Sequence, residues 1–124
     1  MSPRQGARLL AAGRVALGVA VLAAPEQVAG RWLGKHAKRP VVQYIARSLG
    51  IRDVALGVLA LGTLDDAEIG PRVQAACAAA DSVDAVATIV ARAELPKAGV
   101  IGTVAVAGAA AVAGFCFSHK LAHA

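Results

Sequence analysis

The chain has 124 residues, the size of one ordinary domain. Hydrophobic residues make up 57% of it and charged residues 17%, whereas soluble domains are about 45–50% apolar and about 25% charged. The apolar content excludes an intrinsically disordered chain, and two cysteines are too few for a disulfide scaffold. The net charge of +5 does not indicate nucleic-acid binding, because aromatic residues are not interleaved with the basic ones. This composition is typical of a membrane protein.

Four segments are long enough to cross a membrane, which takes about 20 apolar residues. The fourth is the clearest, because residues 98–117 contain no charge and are rich in the Gly and Ala that let helices pack closely in lipid. The segments predict an all-α, four-helix transmembrane bundle that forms one integral membrane domain over residues 1–124. The predicted helices cover residues 7–24, 41–64, 73–90 and 98–117.

The connecting segments are predicted to be loops. The first span ends at Pro25, and residues 30–40 form a basic loop that carries Trp32 at its edge. We expect this loop to anchor the chain at lipid headgroups. Lys and Arg outside the spans number four on the side of both termini and six on the other side. This small excess favours termini outside the cytoplasm.

The first span also has features of a secretory signal peptide. Arg4 and Arg8 precede a short apolar segment, and V-L-A at residues 21–23 resembles a cleavage site. Cleavage would leave three spans. Because Arg14 divides the apolar segment and no polar domain follows it, a membrane span is the favoured interpretation.

The sequence V-A-L-G-V occurs twice, at residues 15–19 and again at residues 54–58. Each copy follows an arginine by one or two residues. Because consecutive spans run in opposite directions, the two copies would form an inverted repeat. Coincidence is the favoured alternative in a chain so rich in Ala, Val, Leu and Gly.

The charges inside the predicted spans are the most informative feature. Away from the ends of the spans, three are positive and three negative, and they are Arg14, Arg47, Arg52, Asp53, Asp81 and Asp84. An unpaired charge at the centre of a membrane helix costs about 2.5–3.5 kcal/mol. We therefore expect a neutral ion-pair network inside the bundle.

Helical geometry predicts how these charges pair. Asp81 and Asp84 are three residues apart and share one face of the third helix. Arg47 and Arg52 point in almost opposite directions from the second helix, so this helix should contact two neighbours and lie centrally. We expect Arg14 and Arg52 to meet Asp81 and Asp84, with Arg47 nearer the membrane interface.

This network has two interpretations. It could only fix the register and orientation of the helices, as buried ion pairs often do. Alternatively, ionisable groups inside a membrane mark a site for an ion, a proton or a substrate, and this interpretation is the favoured one. A cavity that reaches Asp81 and Asp84 would distinguish a site from a register device.

The segment R-S-L-G-I-R-D-V-A-L-G, which begins at Arg47, resembles the G-x-R-D-x-x-x-G signature of small, uncharacterised bacterial four-helix membrane proteins of the DoxX-like group. Arg14 followed by Gly18 is similar to their first-helix pattern, and the pair Asp81 and Asp84 to their third-helix pattern. The resemblance covers nearly the whole chain. It implies a multi-pass protein of the bacterial plasma (inner) membrane. It implies no particular reaction, although some relatives are linked to quinone-coupled oxidation of sulfur compounds.

Other candidate sites are weaker. Cys116, His119 and His123 have a spacing that could place three metal ligands on one helix face, but a fourth ligand is not evident and a solvated tail is favoured. Asp81 and Asp84 could begin a metal-binding motif like that of lipid-phosphate transferases, but the further aspartates and glycines of that motif are missing. We therefore expect no metal site and no cofactor, and the sequence identifies no catalytic residue.

Three functions from different classes fit these observations. The favoured one is binding of a small solute, a proton or a lipid at the charged network. The second is a structural or accessory subunit of a larger membrane complex, or a homo-oligomer. The third is a quinone- or lipid-linked membrane enzyme with Asp53, Asp81 or Asp84 as general base, although the sequence leans away from an enzyme. The expected partners are the lipid bilayer and another membrane protein or a second copy, not nucleic acid.

Overall fold

A computed structural model describes all of residues 1–124 and is all-helical, with 88% of the residues in helices and no strand. Five α-helices follow one another along the chain. They are α1 (Pro3–Ala23), α2 (Pro25–Leu33), α3 (Pro40–Gly62), α4 (Ile69–Val90) and α5 (Lys97–Ala122). Short 3₁₀ turns at Gly34–Lys38 and Arg92–Glu94 precede α3 and α5. The four predicted helices are therefore present as α1, α3, α4 and α5, each within five residues of its predicted ends.

The helix that the sequence analysis missed is α2, which occupies part of the segment expected to be a basic loop. Pro25 is its first residue, where the missing N–H of proline costs nothing. Glu26 lies in the first turn, beside the positive end of the helix dipole. The helix ends at Gly34, whose φ of 63° is a left-handed conformation that favours glycine. The loop prediction was wrong because Pro25 both ends α1 and begins α2.

Three helices, α1, α4 and α5, are long and apolar enough to cross a membrane. Helix α3 has a similar length, but it carries Arg47, Arg52 and Asp53. Its outer face nevertheless exposes large apolar side chains such as Ile51 and Val58. Exposed apolar surface on this scale is typical of a face that contacts lipid or another protein.

The interior consists mainly of small residues, while large apolar side chains point outwards. Eight of the eleven buried hydrophobic residues are alanine, and no large side chain is completely buried. Small residues allow the backbones of neighbouring helices to approach closely, which is how helices associate where lipid removes the hydrophobic driving force.

The four long helices form a ring in which each packs mainly against two neighbours, in the order α1, α3, α4, α5. The most extensive contacts join α1 to α3 and α4 to α5. The second predicted span, α3, therefore has two neighbours as expected. Its expected central position is wrong, because in a ring no helix is surrounded by the others.

The two V-A-L-G-V copies face each other across the antiparallel α1–α3 contact. A Cβ added to Gly57 would lie 2.5 Å from Cγ2 of Val15, and one added to Gly18 would lie 2.8 Å from Cγ2 of Val54. The first residue of each copy thus packs against the fourth residue of the other. The two copies thus meet at the centre of the antiparallel contact between α1 and α3.

Contacts at the two ends of the ring fix the topology. At one end Arg4 forms an ion pair with Asp65, and the hydroxyl of Ser118 donates to the carbonyl of Pro71 at 2.7 Å. Both chain termini lie at this end. Helix α2 lies at the opposite end, where the 3₁₀ turn that follows it brings His36 Nε2 to 3.0 Å from the carbonyl oxygen of Glu94.

Candidate functional site

Two arginines and three aspartates form one connected network where α1, α3 and α4 face each other. Arg14 donates to Asp81 Oδ2 at 2.5 Å and to Asp53 Oδ1 at 3.4 Å. Arg52 donates to both oxygens of Asp84, at 3.0 and 2.7 Å, and to Asp53 Oδ1 at 3.1 Å. The predicted pairing of the two arginines with Asp81 and Asp84 is confirmed, and Asp53 links the two pairs.

The side chains of the network differ in how deeply they are buried. The side chains of Arg14 and Asp81 are 7% and 10% exposed, and that of Asp53 is 14% exposed. Those of Arg52 and Asp84 are 30% and 29% exposed. The Arg14–Asp81 pair therefore forms the deep part of the network, and the Arg52–Asp84 pair the accessible part.

Arg47 is not a member of this network. It is exposed and forms no ion pair. Gly50, one turn further along α3, packs against Val21 and Leu22 at the end of α1, so Arg47 lies beyond the last turn of α1. The inclusion of Arg47 in the network was wrong, and its position nearer the membrane interface stays a prediction.

Without Arg47, the network has two positive and three negative groups. Its formal charge is therefore −1 when all five are ionised, not the neutral balance that the sequence predicted. Two carboxylate oxygens, Asp53 Oδ2 and Asp81 Oδ1, accept no hydrogen bond from the protein, yet they keep accessible surface. In contrast, Nε of Arg52 is buried without an acceptor.

A cavity of about 720 Å³ lies beside the network. All five α-helices contribute to its mostly apolar wall. The network members that line it are Arg14, Arg52, Asp53, Asp81 and Asp84. Pockets for small molecules have volumes of about 300–1,000 Å³ and combine apolar walls with a few polar groups. The cavity therefore has the size and composition of a small-molecule site with one charged wall.

The cavity opens between α1 and α5. Leu17 of α1 and Val106 of α5 line it, and both are exposed. A Cβ added to Gly13 or Gly102, which also line it, would meet no atom within 4 Å. The opening thus runs along the lateral surface of the molecule and is bordered by apolar side chains.

Helix α2 forms the end of the cavity near the start of α5. Val28 and Trp32 line it there, and Gly99 of α5 lies against the backbone carbonyl of Trp32. Sequence reasoning missed this wall because it assigned the segment to a loop. The signal was present in the spacing of Val28, Ala29 and Trp32, which places three apolar side chains on one face of a short helix.

The C-terminal residues considered as metal ligands are Cys116, His119 and His123. Helix α5 continues to Ala122, so His119 lies in a helix and not in a frayed tail. The rings of His119 and His123 lie 4.5 Å apart. No three potential metal ligands come together anywhere in the chain. Cys77 is buried, Cys116 is exposed, and both are free thiols.

The fold and this site define an all-helical protein with three helices of membrane-spanning length and a buried Arg–Asp network beside a cavity. No family model, no curated protein and no solved structure matches the chain. A proposal about its function therefore rests on the geometry of the network and the cavity.

Proposed function

We propose that the chain is a four-helix integral membrane protein of the bacterial plasma membrane, related to the DoxX-like group, in which α1, α3, α4 and α5 cross the bilayer. The charges of α3 are compatible with a span, because Arg52 and Asp53 pair inside the protein and Arg47 lies towards the end of the helix. The amphipathic α2 then lies at one interface. The resemblance of the segment that begins at Arg47 to the signature of that group supports the same assignment.

We further propose that this bundle binds a small amphiphilic molecule. The observation that carries the proposal is the cavity that reaches Asp81 and Asp84. A network that only fixed helix register would be packed on every side. Here two carboxylate oxygens remain without a hydrogen bond, and the Arg52–Asp84 pair is nearly one-third exposed. Ionisable groups in a membrane interior that border an accessible space are the expected signature of a binding site.

The position of the opening suggests the route of entry. The gap between α1 and α5 is bordered by apolar side chains, so a molecule dissolved in the bilayer can enter sideways. Its apolar part would lie along the wall formed by α1 and α5, and its polar end would reach the network. The ion pairs hold the charged groups in place before the molecule arrives, which lowers the entropic cost of binding.

An engineered block of the cavity tests this function. Gly102 and Gly108 both lie on α5 with no atom within 4 Å of an added Cβ, but only Gly102 lines the cavity. The probe is 10-bromodecanol, whose bromine quenches the fluorescence of Trp32, the only tryptophan. We expect saturable quenching in the wild-type protein, at least tenfold weaker binding in Gly102→Leu, and binding within twofold of wild type in Gly108→Leu.

Other results would favour the remaining functions. Equal probe affinity in the two variants and the wild type would remove the cavity as the site. A correctly folded wild-type protein that binds no probe and co-purifies with a stoichiometric membrane protein would indicate an accessory subunit. Turnover of a quinone or a lipid that is lost in Asp53→Asn would indicate an enzyme in which this carboxylate is the general base.

A further inference from the structure

We infer that the molecule held in the cavity carries a cationic head group, such as a protonated alkylamine. This inference rests on the binding function proposed above and specifies the chemistry of the ligand. It follows from the charge of the network, the free carboxylate oxygens and the shape of the cavity.

The network carries an excess of negative charge. Arg14 compensates Asp81, and Arg52 compensates Asp84 through both carboxylate oxygens. Asp53 shares one oxygen between the two arginines, so the third negative charge has no arginine of its own. An uncompensated charge away from water is costly, and a bound cation would remove this cost.

No other protein cation supplies the missing charge. Arg31 is the remaining charged residue that lines the cavity, but it belongs to α2 at the far end. It is exposed and forms no ion pair with the three aspartates. Arg47 is exposed and forms no ion pair, as described above. The positive charge must therefore come from outside the chain.

The second step is the position of the free acceptors. Asp81 is more than nine-tenths buried, yet its Oδ1 atom has no partner within the protein and keeps accessible surface. Asp53 Oδ2 has the same properties. Both residues line the cavity. An ammonium group has three donors and no acceptor, so its chemistry matches free carboxylate oxygens on residues that line the cavity.

The third step is the remainder of the ligand. The wall away from the network is mostly apolar and includes Leu17, Val106 and Trp32. This wall favours an alkyl or aromatic tail over a hydrated inorganic cation. An anionic head group such as a carboxylate or a phosphate would be repelled by the excess negative charge. The cavity therefore selects a cationic amphiphile.

Three probes that differ only in their head group test this inference: 10-bromodecylamine, 10-bromodecanol and 10-bromodecanoate. Binding is measured at neutral pH by quenching of Trp32 in nanodiscs of zwitterionic lipid, with empty nanodiscs as the reference for partitioning. We expect the amine to bind at least tenfold more tightly than the alcohol, and the carboxylate to bind most weakly.

The matched variants are Asp53→Asn and Glu68→Gln. The first makes the network neutral while Asp81 and Asp84 keep their arginines, so the ratio of amine to alcohol affinity should fall to about one. Glu68 pairs with Arg72 in an exposed position outside the cavity, and its variant should keep the wild-type ratio. Each affinity ratio is taken within one variant, which removes differences in protein yield.

The outcomes separate this inference from the proposed function. Equal binding of amine and alcohol to the wild type would overturn it, because a proton on the network would then supply the missing charge. Tightest binding of the carboxylate, or an unchanged ratio in Asp53→Asn, would also overturn it. Failure of all three probes to bind the wild type would reject the binding function itself.

Discussion

Arg14 of α1 donates a hydrogen bond of 2.5 Å to Asp81 of α4, and this pair is the most deeply buried part of the network. The Arg52–Asp84 pair is bidentate, at 3.0 and 2.7 Å, but its two side chains are 30% and 29% exposed, against 7% and 10% for Arg14 and Asp81. A charge that loses its partner is destabilising in proportion to its burial. The two ion pairs should therefore contribute unequally to stability.

The first prediction compares Arg14→Gln with Arg52→Gln. Arg14→Gln leaves Asp81 buried without its arginine and should lower the free energy of unfolding by about 3–5 kcal/mol. Arg52→Gln should cost less, because the side chain of Asp84 is 29% exposed whereas that of Asp81 is 10% exposed. Unfolding in detergent, followed by circular dichroism, measures both losses. The double variant Arg14→Gln/Asp81→Asn should recover part of the stability lost in Arg14→Gln. Equal losses in the two single variants would contradict the conclusion that the Arg14–Asp81 pair is the more deeply buried one.

The second prediction concerns the reciprocal contact of the two V-A-L-G-V copies. Because an added Cβ at Gly18 or Gly57 would lie under 3 Å from a valine of the other copy, Gly18→Ala and Gly57→Ala should each destabilise the protein by about 1–3 kcal/mol. The two losses should be similar, since each added Cβ would also lie under 3 Å from a backbone atom of the facing helix.

The control for this pair is Gly108→Ala. An added Cβ there meets no atom within 4 Å, and alanine has a helix propensity about 1 kcal/mol better than glycine. The control should therefore be neutral or slightly stabilising. A large loss of stability in Gly18→Ala with no loss in Gly57→Ala would contradict the prediction that the two contacts contribute similarly to stability.

The sequence predicts the long helices and the core of the network because both depend on local properties. Runs of apolar residues determine α5, and the spacing of Asp81 and Asp84 places both on one face. The prediction that Arg47 belongs to the network was wrong because it depends on where α1 ends relative to α3. The spacing of residues along the sequence does not give this position. The cavity could not be predicted, since it depends on how far α1 and α5 diverge and on a helix that follows Pro25.

The third prediction concerns the loop between α3 and α4. Asp66 Oδ1 accepts hydrogen bonds from the backbone N–H groups of Ile69 at 2.7 Å and Glu68 at 2.9 Å. These bonds favour the ionised form and hold the pKa of Asp66 below its ordinary value. The stabilisation is therefore complete above the ordinary pKa of about 3.9 and is lost as the pH falls through the lower pKa of the folded protein.

An NMR titration of the Ile69 and Glu68 amides measures this effect. The midpoint of their chemical-shift change should lie below the ordinary value for aspartate, and Asp66→Asn should abolish the change. A midpoint at or above the ordinary value would show that the carboxylate does not cap the start of α4 in solution.

The last prediction concerns orientation in the membrane. The ion pair of Arg4 with Asp65 and the hydrogen bond from Ser118 to the carbonyl of Pro71 bring the two termini to one end of the molecule, opposite to α2. The basic residues at the α2 end outnumber those at the end of the termini by six to four. The basic residues at the α2 end are Arg31, Lys35, Lys38, Arg39, Arg92 and Lys97. Those at the end of the termini are Arg4, Arg8, Arg72 and Lys120. The positive-inside rule then places the α2 end in the cytoplasm.

Labelling of single cysteines with a membrane-impermeant maleimide measures this orientation in intact cells. The background replaces Cys77 and Cys116 by serine, and the reporters are Lys35→Cys and Lys120→Cys, both at exposed positions. Lys120→Cys should label in intact cells, whereas Lys35→Cys should label only after permeabilisation. The reverse pattern would place the termini in the cytoplasm. Labelling of both reporters in intact cells would contradict the proposal of four spans, because the three spans α3, α4 and α5 separate residue 35 from residue 120 and would place them on opposite sides of the bilayer.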